Sequence, residues 1–260
     1  MGTASNPKTV RKAAPKATCK VALITGAAKR VGAAIAECLH THGYSVLIHY
    51  NHSSTEARAL VDKFNRIRPN SAHCLQADLN HMDQIPALAI AAQNHWGRLD
   101  LLVNNASAFY PTPLSESTQA QWDNLINSNL RAPYFLCSEL SHTLSVNEGC
   151  IINMIDIHAQ RGLPGHPIYS IAKAGLEMMT KSLAKELAPN VRVNGVSPGA
   201  ILWPEAELSD DAKQAIVDKT LIGKLGQDSD LAEAVYYLAN AKYVTGQILA
   251  VDGGKSLYSH

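Results

Sequence analysis

Val21-Ala22-Leu23-Ile24-Thr25-Gly26-Ala27-Ala28-Lys29-Arg30-Val31-Gly32 is the stretch whose reading decides the fold. Four apolar residues in a row, stopped by Thr25-Gly26, read as a short buried strand. A helical stretch follows from about Arg30 to His42, and Gly43 closes it. Strand, glycine turn and helix make one βα unit, and the rest of the chain repeats it.

A second strand spans Ser45 to Tyr50, then a helix runs from about Glu56 to Arg66 and a strand over His73–Ala77. Another helix ends near Trp96, and Leu99–Val103 is the fourth strand. A long helical region is expected from Gln119 to Leu144, a fifth strand over Cys150–Met154 and a helix from Pro167 to Leu187. Val191–Val196 follows as a strand, then helical stretches at Asp211–Lys219 and Leu231–Ala239, and a last strand at Gln247–Val251. Strands alternating with helices of this length predict a Rossmann-type α/β fold. Its doubly wound parallel sheet has about seven strands with helices on both faces. No composition break follows residue 20, so residues 20–260 are expected to form one domain behind a basic, disordered tail, 1–19.

The bulk numbers exclude several classes. The 260 residues are 46% hydrophobic and 17% charged with a net charge of +1, which argues against a nucleic-acid-binding field. Cys19, Cys38, Cys74, Cys137 and Cys150 are scattered without a CxxC pair, as expected of reduced cytosolic thiols. No apolar run is long enough to span a bilayer, and the N-terminus lacks a secretory core. The segment around Lys8, Arg11, Lys12 and Lys16 has no amphipathic stripe, so a tail is favoured over a targeting leader. Cytoplasmic location is the expectation, with no membrane, nucleic-acid or metal partner.

Ligands of such sheets bind at the carboxyl ends of the strands. The first turn, with Gly26, Arg30 and Val31, is placed to bring backbone N–H groups and a helix dipole to a pyrophosphate. Lys29 and Arg30 at that helix start make best sense beside an anion. Strand two ends in Tyr50-Asn51-His52-Ser53, without the acid that holds a ribose 2′-hydroxyl; these side chains suit a 2′-phosphate, so NADPH is expected over NADH. Asp78 and Leu79, after strand three, are assigned to the adenine end. Tyr169 and Lys173, at i and i+4, share a helix face. A neighbouring ammonium is expected to lower the phenol pKa and make Tyr169 a proton donor.

Thr25-Gly26…Gly32, Asn104-Asn105-Ala106, Asn129, Tyr169…Lys173 and Ser197-Pro198-Gly199 resemble the short-chain dehydrogenase/reductase pattern over about residues 20–254. The resemblance implies that Tyr169 donates the proton, while Lys173 also holds the nicotinamide ribose. It implies that Asn129 holds a relay water, that Asn105 and Ala106 line the cofactor, and that Pro198-Gly199 meets the carboxamide. Two positions depart from the pattern: Arg30 replaces the middle glycine, and Asp156 replaces the serine thirteen residues before the tyrosine. An ionised aspartate only accepts hydrogen bonds, so a simple ketone is a poor substrate.

The pteridine reductase branch resembles this chain at both departures, and at Asn104–Pro113 and Ile151–Asp156. That resemblance implies reduction of dihydropterin- or dihydrofolate-like C=N bonds and a homotetramer. Phe109 would stack on the pterin, and Arg30 and Ser107 would bond its edge. Asp156, with a raised pKa, would pass a proton to a ring nitrogen, and Trp203 in Ile201-Leu202-Trp203-Pro204 would help lid the pocket. A general carbonyl reductase and a non-catalytic cofactor-binding regulator are the rival readings.

Overall fold

The computed structural model describes residues 19–201 and 209–257. Its centre is a seven-stranded parallel sheet in the order β3-β2-β1-β4-β5-β6-β7. The strands are β1 (Val21–Ile24), β2 (Ser45–Tyr50), β3 (Ala72–Gln76), β4 (Leu101–Asn104), β5 (Cys150–Met154), β6 (Arg192–Pro198) and β7 (Ile248–Val251). The main helices are α1 (Arg30–Thr41), α2 (Ser54–Ile67), α3 (Gln84–His95), α4 (Gln119–Ile126), α5 (Ala132–Val146), α6 (His158–Arg161), α7 (Pro167–Glu186), α8 (Asp210–Val217) and α9 (Asp228–Asn240).

Strand alternation sorts the core into two layers. Ala22, Ile24, Val46, Ile48, Val103 and Ile152 point to one face, where α1, α2 and α9 supply Ile35, Leu39, Phe64 and Val235. Val21, Leu23, Leu47, Leu102, Ile151 and Val193 point to the other, against Leu88, Leu136, Leu140 and Leu176 of α3, α5 and α7. Burial of each such side chain stabilises the fold by roughly 1.5–3 kcal/mol. The central strands β1, β4 and β5 are buried at every residue, so they do not show the alternation of a half-exposed sheet.

The expected elements are present, with one instructive difference. The helix expected over Gln119–Leu144 is divided by a π turn, Asn127–Arg131. Ser128 Oγ donates to Asn124 O at 2.7 Å and Asn129 Nδ2 to Leu125 O at 3.0 Å, so side chains take carbonyls at the change of helical pitch. A buried polar chain ties α7 to the sheet: Asn104 Nδ2 donates to Asn153 Oδ1 and Asn153 Nδ2 to Thr180 Oγ, both at 2.8 Å. It fixes β4, β5 and α7 relative to one another in low dielectric. Residues 1–18 of the expected tail (1–19), the Trp203 segment and the chain end from Tyr258 lie outside the described residues.

Candidate active site

β1, β2 and β3 run outward to one edge, and the chain then returns to β4 beside β1. The crevice outside that reversal is where ligands bind in doubly wound sheets. A cleft of about 710 Å³ opens there, lined by Gly26, Arg30, Val31, Asn51, Asp78, Leu79, Asn105, Ala106, Ser107, Phe109, Asp156, Tyr169, Lys173, Pro198 and Gly199. Loops from β1 through β6 thus converge as expected.

The floor is a clamp between two loops. Thr25 Oγ accepts from the backbone N–H of Asn105 and Ala106 at 2.9 and 3.0 Å. Asn105 Nδ2 returns bonds to Thr25 O and Gly26 O at 2.9 and 3.1 Å. Gly26 has φ +61°, and a Cβ there would lie 2.9 Å from Ala106 Cα. A Cβ on Gly32 would lie 2.3 Å from Gly26 O. The α1 N-terminus has neither a side-chain cap nor an acidic residue in its first turn. A close backbone approach, an open helix dipole and no acid fit the pyrophosphate of a dinucleotide. Arg30 takes φ +51°, the left-handed region where its replaced glycine would be at ease. A strained residue lining the cleft marks a position held for function.

At the adenine end, Asp78 lines the cleft and accepts from Asn80 N at 2.9 Å. Burial works to raise its pKa, but bonds from Asn80 and Asn51 outweigh it and hold the carboxyl below its ordinary value. Of the four residues assigned to the 2′-phosphate, Asn51 lines the cleft. Tyr50, His52 and Ser53 do not: Tyr50 packs against the core and His52 is exposed. Glu56, the nearest acid, is engaged by Lys29 at 2.6 Å, with both side chains about half exposed.

His49 is a cleft residue that sequence reasoning missed. Gly26 N–H bonds its Nδ1 at 3.1 Å and its Nε2 faces Ala77 O at 3.1 Å. Those partners assign a neutral imidazole with the proton on Nε2. Burial pushes its pKa down to about 4. A histidine inside an apolar strand carries no motif, so nothing in the chain announced it.

Tyr169 and Lys173 of α7 meet Asp156, which follows β5. Tyr169 Oη donates to Asp156 Oδ2 at 2.9 Å, and Ser107 Oγ is a further hydrogen-bond partner of the phenol. Lys173 is buried, 5.6 Å above the Tyr169 ring, and donates to Met154 O at 2.8 Å. Burial lowers its pKa to about 8, although the Asp156 charge acts to raise it. Asn129 stands behind the cleft. Its Oδ1 accepts from Ser107 Oγ at 2.6 Å and its Nδ2 donates to Ala108 O at 3.0 Å, so its amide holds the Ser107–Ala108 loop. Phe109 is exposed in the cleft wall, stacks on His166 at 4.7 Å and meets the Tyr169 ring at near right angles with 4.8 Å between centroids.

Two electrostatic expectations are corrected. Tyr169 is shifted upward, not downward: burial is the main cause, and the Asp156 charge and bond add to it. Asp156 is shifted downward, not upward. Burial acts to raise it, but bonds from the His158 side chain and backbone, the His158 charge and the Tyr169 hydroxyl outweigh that. Near neutrality Asp156 is therefore an ionised acceptor, and Tyr169 holds the proton.

The family model described as enoyl-(acyl carrier protein) reductase matches residues 26–256. Pteridine reductase 1 of Leishmania tarentolae is 38% identical, over 92% of this chain and 97% of that protein. A 3-oxoacyl-(acyl-carrier-protein) reductase of Staphylococcus aureus is 34% identical, over 90% and 97% respectively. An uncharacterised oxidoreductase of Bacillus subtilis is 33% identical, over 90% and 98%. With the Tyr169–Lys173 pair beside a dinucleotide cleft, these likenesses establish that the chain belongs to the short-chain dehydrogenase/reductase family of NAD(P)-dependent oxidoreductases.

Proposed function

We propose that this chain is an NADPH-dependent pteridine reductase acting on dihydropterin- or dihydrofolate-type compounds to give their tetrahydro forms. The observation that carries this reading is the Asp156 carboxyl group, bonded by Tyr169 Oη at 2.9 Å, in the position where the family places a hydroxyl donor. A ketone offers oxygen lone pairs, which a carboxylate repels. A pterin offers ring N–H and amino donors, which a carboxylate accepts. The likeness to a protein named pteridine reductase 1 points the same way. The likeness to a 3-oxoacyl reductase is the argument for the second reading, a carbonyl reductase. Asp156 weighs against it.

In this reading Gly26, Arg30, Val31, Asn51, Asp78, Asn105, Ala106, Pro198 and Gly199 hold NADPH, which supplies the hydride when bound. Lys29 reinforces the preference for a 2′-phosphate. Phe109, exposed in the cleft wall, offers an aromatic surface to the pterin ring, while Arg30 and Ser107 meet the ring's polar edge. Tyr169 gives its hydroxyl proton to the ring nitrogen beside the reduced carbon, and the Lys173 ammonium offsets the negative charge left on the phenol oxygen. Asp156 aligns Tyr169 and accepts a substrate N–H. Asn129 sets the position of Ser107 and so acts one step removed. A homotetramer in the cytoplasm, built from one domain starting near residue 20 behind a basic tail, belongs to the same proposal.

Replacement of the carboxylate tests the reading. Asp156→Ser should reduce dihydropterin at least about a hundredfold more slowly, a loss of roughly 3 kcal/mol in transition-state binding, while NADPH affinity stays within about twofold. Unchanged dihydropterin turnover in Asp156→Ser would overturn it.

A further inference from the structure

Asp156 has two carboxylate oxygens, and they face different partners. Oδ2 receives the Tyr169 hydroxyl at 2.9 Å. Oδ1 receives two donors from one residue, the His158 backbone N–H at 2.8 Å and the His158 Nδ1 at 2.7 Å. His158 is the first residue of α6, a single short turn that follows β5 by three residues. Its side chain is one-quarter exposed, and it does not line the cleft. No motif singled it out.

We propose that His158 is a positioning residue of the active site: it fixes the Asp156 carboxylate through Oδ1 and thereby aims Oδ2 at Tyr169 and the substrate. The inference rests on the catalytic placement of Tyr169 and Asp156 in the preceding reading. A carboxylate held by one hydroxyl alone rotates about its Cβ–Cγ bond and presents either oxygen. Two donors on the same oxygen, one from the main chain, leave a single orientation in which Oδ2 faces the reacting phenol. The same two bonds favour the charged form of Asp156 against its burial. A serine at this position needs no such support, because a hydroxyl turns freely and carries no charge to stabilise. The aspartate replacement and its histidine thus form one unit.

The other charged and titratable groups around the pair are accounted for. Tyr169 and Lys173 face Asp156 from α7, and Lys255 feels its charge from the segment after β7. Arg161 of α6 donates to Lys255 O at 3.2 Å. Glu177 of α7 is engaged by Gln160 at 3.1 Å and Lys181 at 2.6 Å. The Nδ1 contact from His158 is the one cationic or N–H side-chain hydrogen bond that Asp156 receives among the described residues.

The test compares wild type, His158→Phe and His158→Asn in the NADP⁺-saturated enzyme. Asp156 is followed by carboxyl ¹³C NMR, with Asp156→Asn to assign its signal, and dihydropterin kinetics are recorded across pH. In His158→Phe the Asp156 titration should move up by about one pH unit or more, and the acid limb of kcat/KM should move with it. Substrate KM should rise at least about fivefold, with NADPH affinity unchanged as the check on folding. His158→Asn retains a donor and should recover most of both effects. An unmoved Asp156 titration in His158→Phe overturns the proposal. So does a titration that moves while the kinetic limb and KM stay put. The NMR titration needs no substrate, so failure of the pterin reading would show separately, as a wild type without dihydropterin turnover.

Discussion

Lys173 illustrates how one side chain can cost stability and enable chemistry. Its pKa falls from 10.5 to about 8 because the ammonium is buried. Below pH 8 both folded and unfolded chains hold the proton, so the burial cost is fully present. Between about 8 and 10.5 the unfolded chain keeps a proton that the folded chain has shed, and stability rises with pH across that window. A shift of this size corresponds to roughly 3 kcal/mol. Lys173→Met should therefore unfold at a higher temperature than wild type at pH 7 without cofactor, while losing nearly all turnover. Scanning calorimetry and NADPH oxidation check the two halves. In wild type, kcat/KM should decline as pH rises through about 8, the free-enzyme value of this group. Tyr169→Phe should keep NADPH affinity but lose at least about a thousandfold in kcat, read by cofactor fluorescence and stopped-flow absorbance. The identities of Tyr169, Lys173 and Asp156 were legible from spacing and resemblance. Their charge states were not, because these depend on burial and on partners such as His158 that only the folded chain brings near.

Among elements, the β1–α1 connection was the most legible, and the close approaches explain why. Gly26 and Gly32 each stand where a Cβ would meet main-chain atoms, so the turn permits little else. Gly32→Ala should displace the Thr25–Asn105 clamp and weaken NADPH binding at least about tenfold, measurable by calorimetric titration. His49, on β2, supports the same turn and was not legible. Its neutral form is the folded one, with a pKa near 4 against an ordinary value of 6.5. As pH falls from about 6.5 to 4 the unfolded chain takes up a proton that the folded chain refuses, so stability is lost across that window and not further below it. His95 is lowered to about 4 by burial and by His73, and contributes in the same window. Chemical denaturation across pH should show this slope, and His49→Asn should reduce it by up to about one proton. The π turn at Asn127–Arg131 escaped because its residues are compatible with an ordinary helix. There α7 packs closely against it: a Cβ on Gly175 would lie 2.6 Å from Leu130.

At the scale of the molecule, alternating strands and helices determined the architecture, and loops after β1 to β6 line one cleft outside the β1/β4 reversal. The central strand runs made this legible, since β1, β4 and β5 are buried on both faces and mostly apolar. In the proposed reading the substrate is a property of the assembled cleft, where Asp156, Phe109 and Tyr169 surround one opening. Short-chain reductases share the rest of this machinery, so the choice between a pterin C=N bond and a ketone C=O bond is where the account stands or falls. The direct measurement is NADPH oxidation by the purified enzyme, with kcat/KM determined side by side for a dihydropterin and a 3-oxoacyl thioester. The account predicts dihydropterin ahead by at least about a hundredfold, some 3 kcal/mol of differential transition-state binding. Efficient turnover of the ketone with none of the pterin would contradict it.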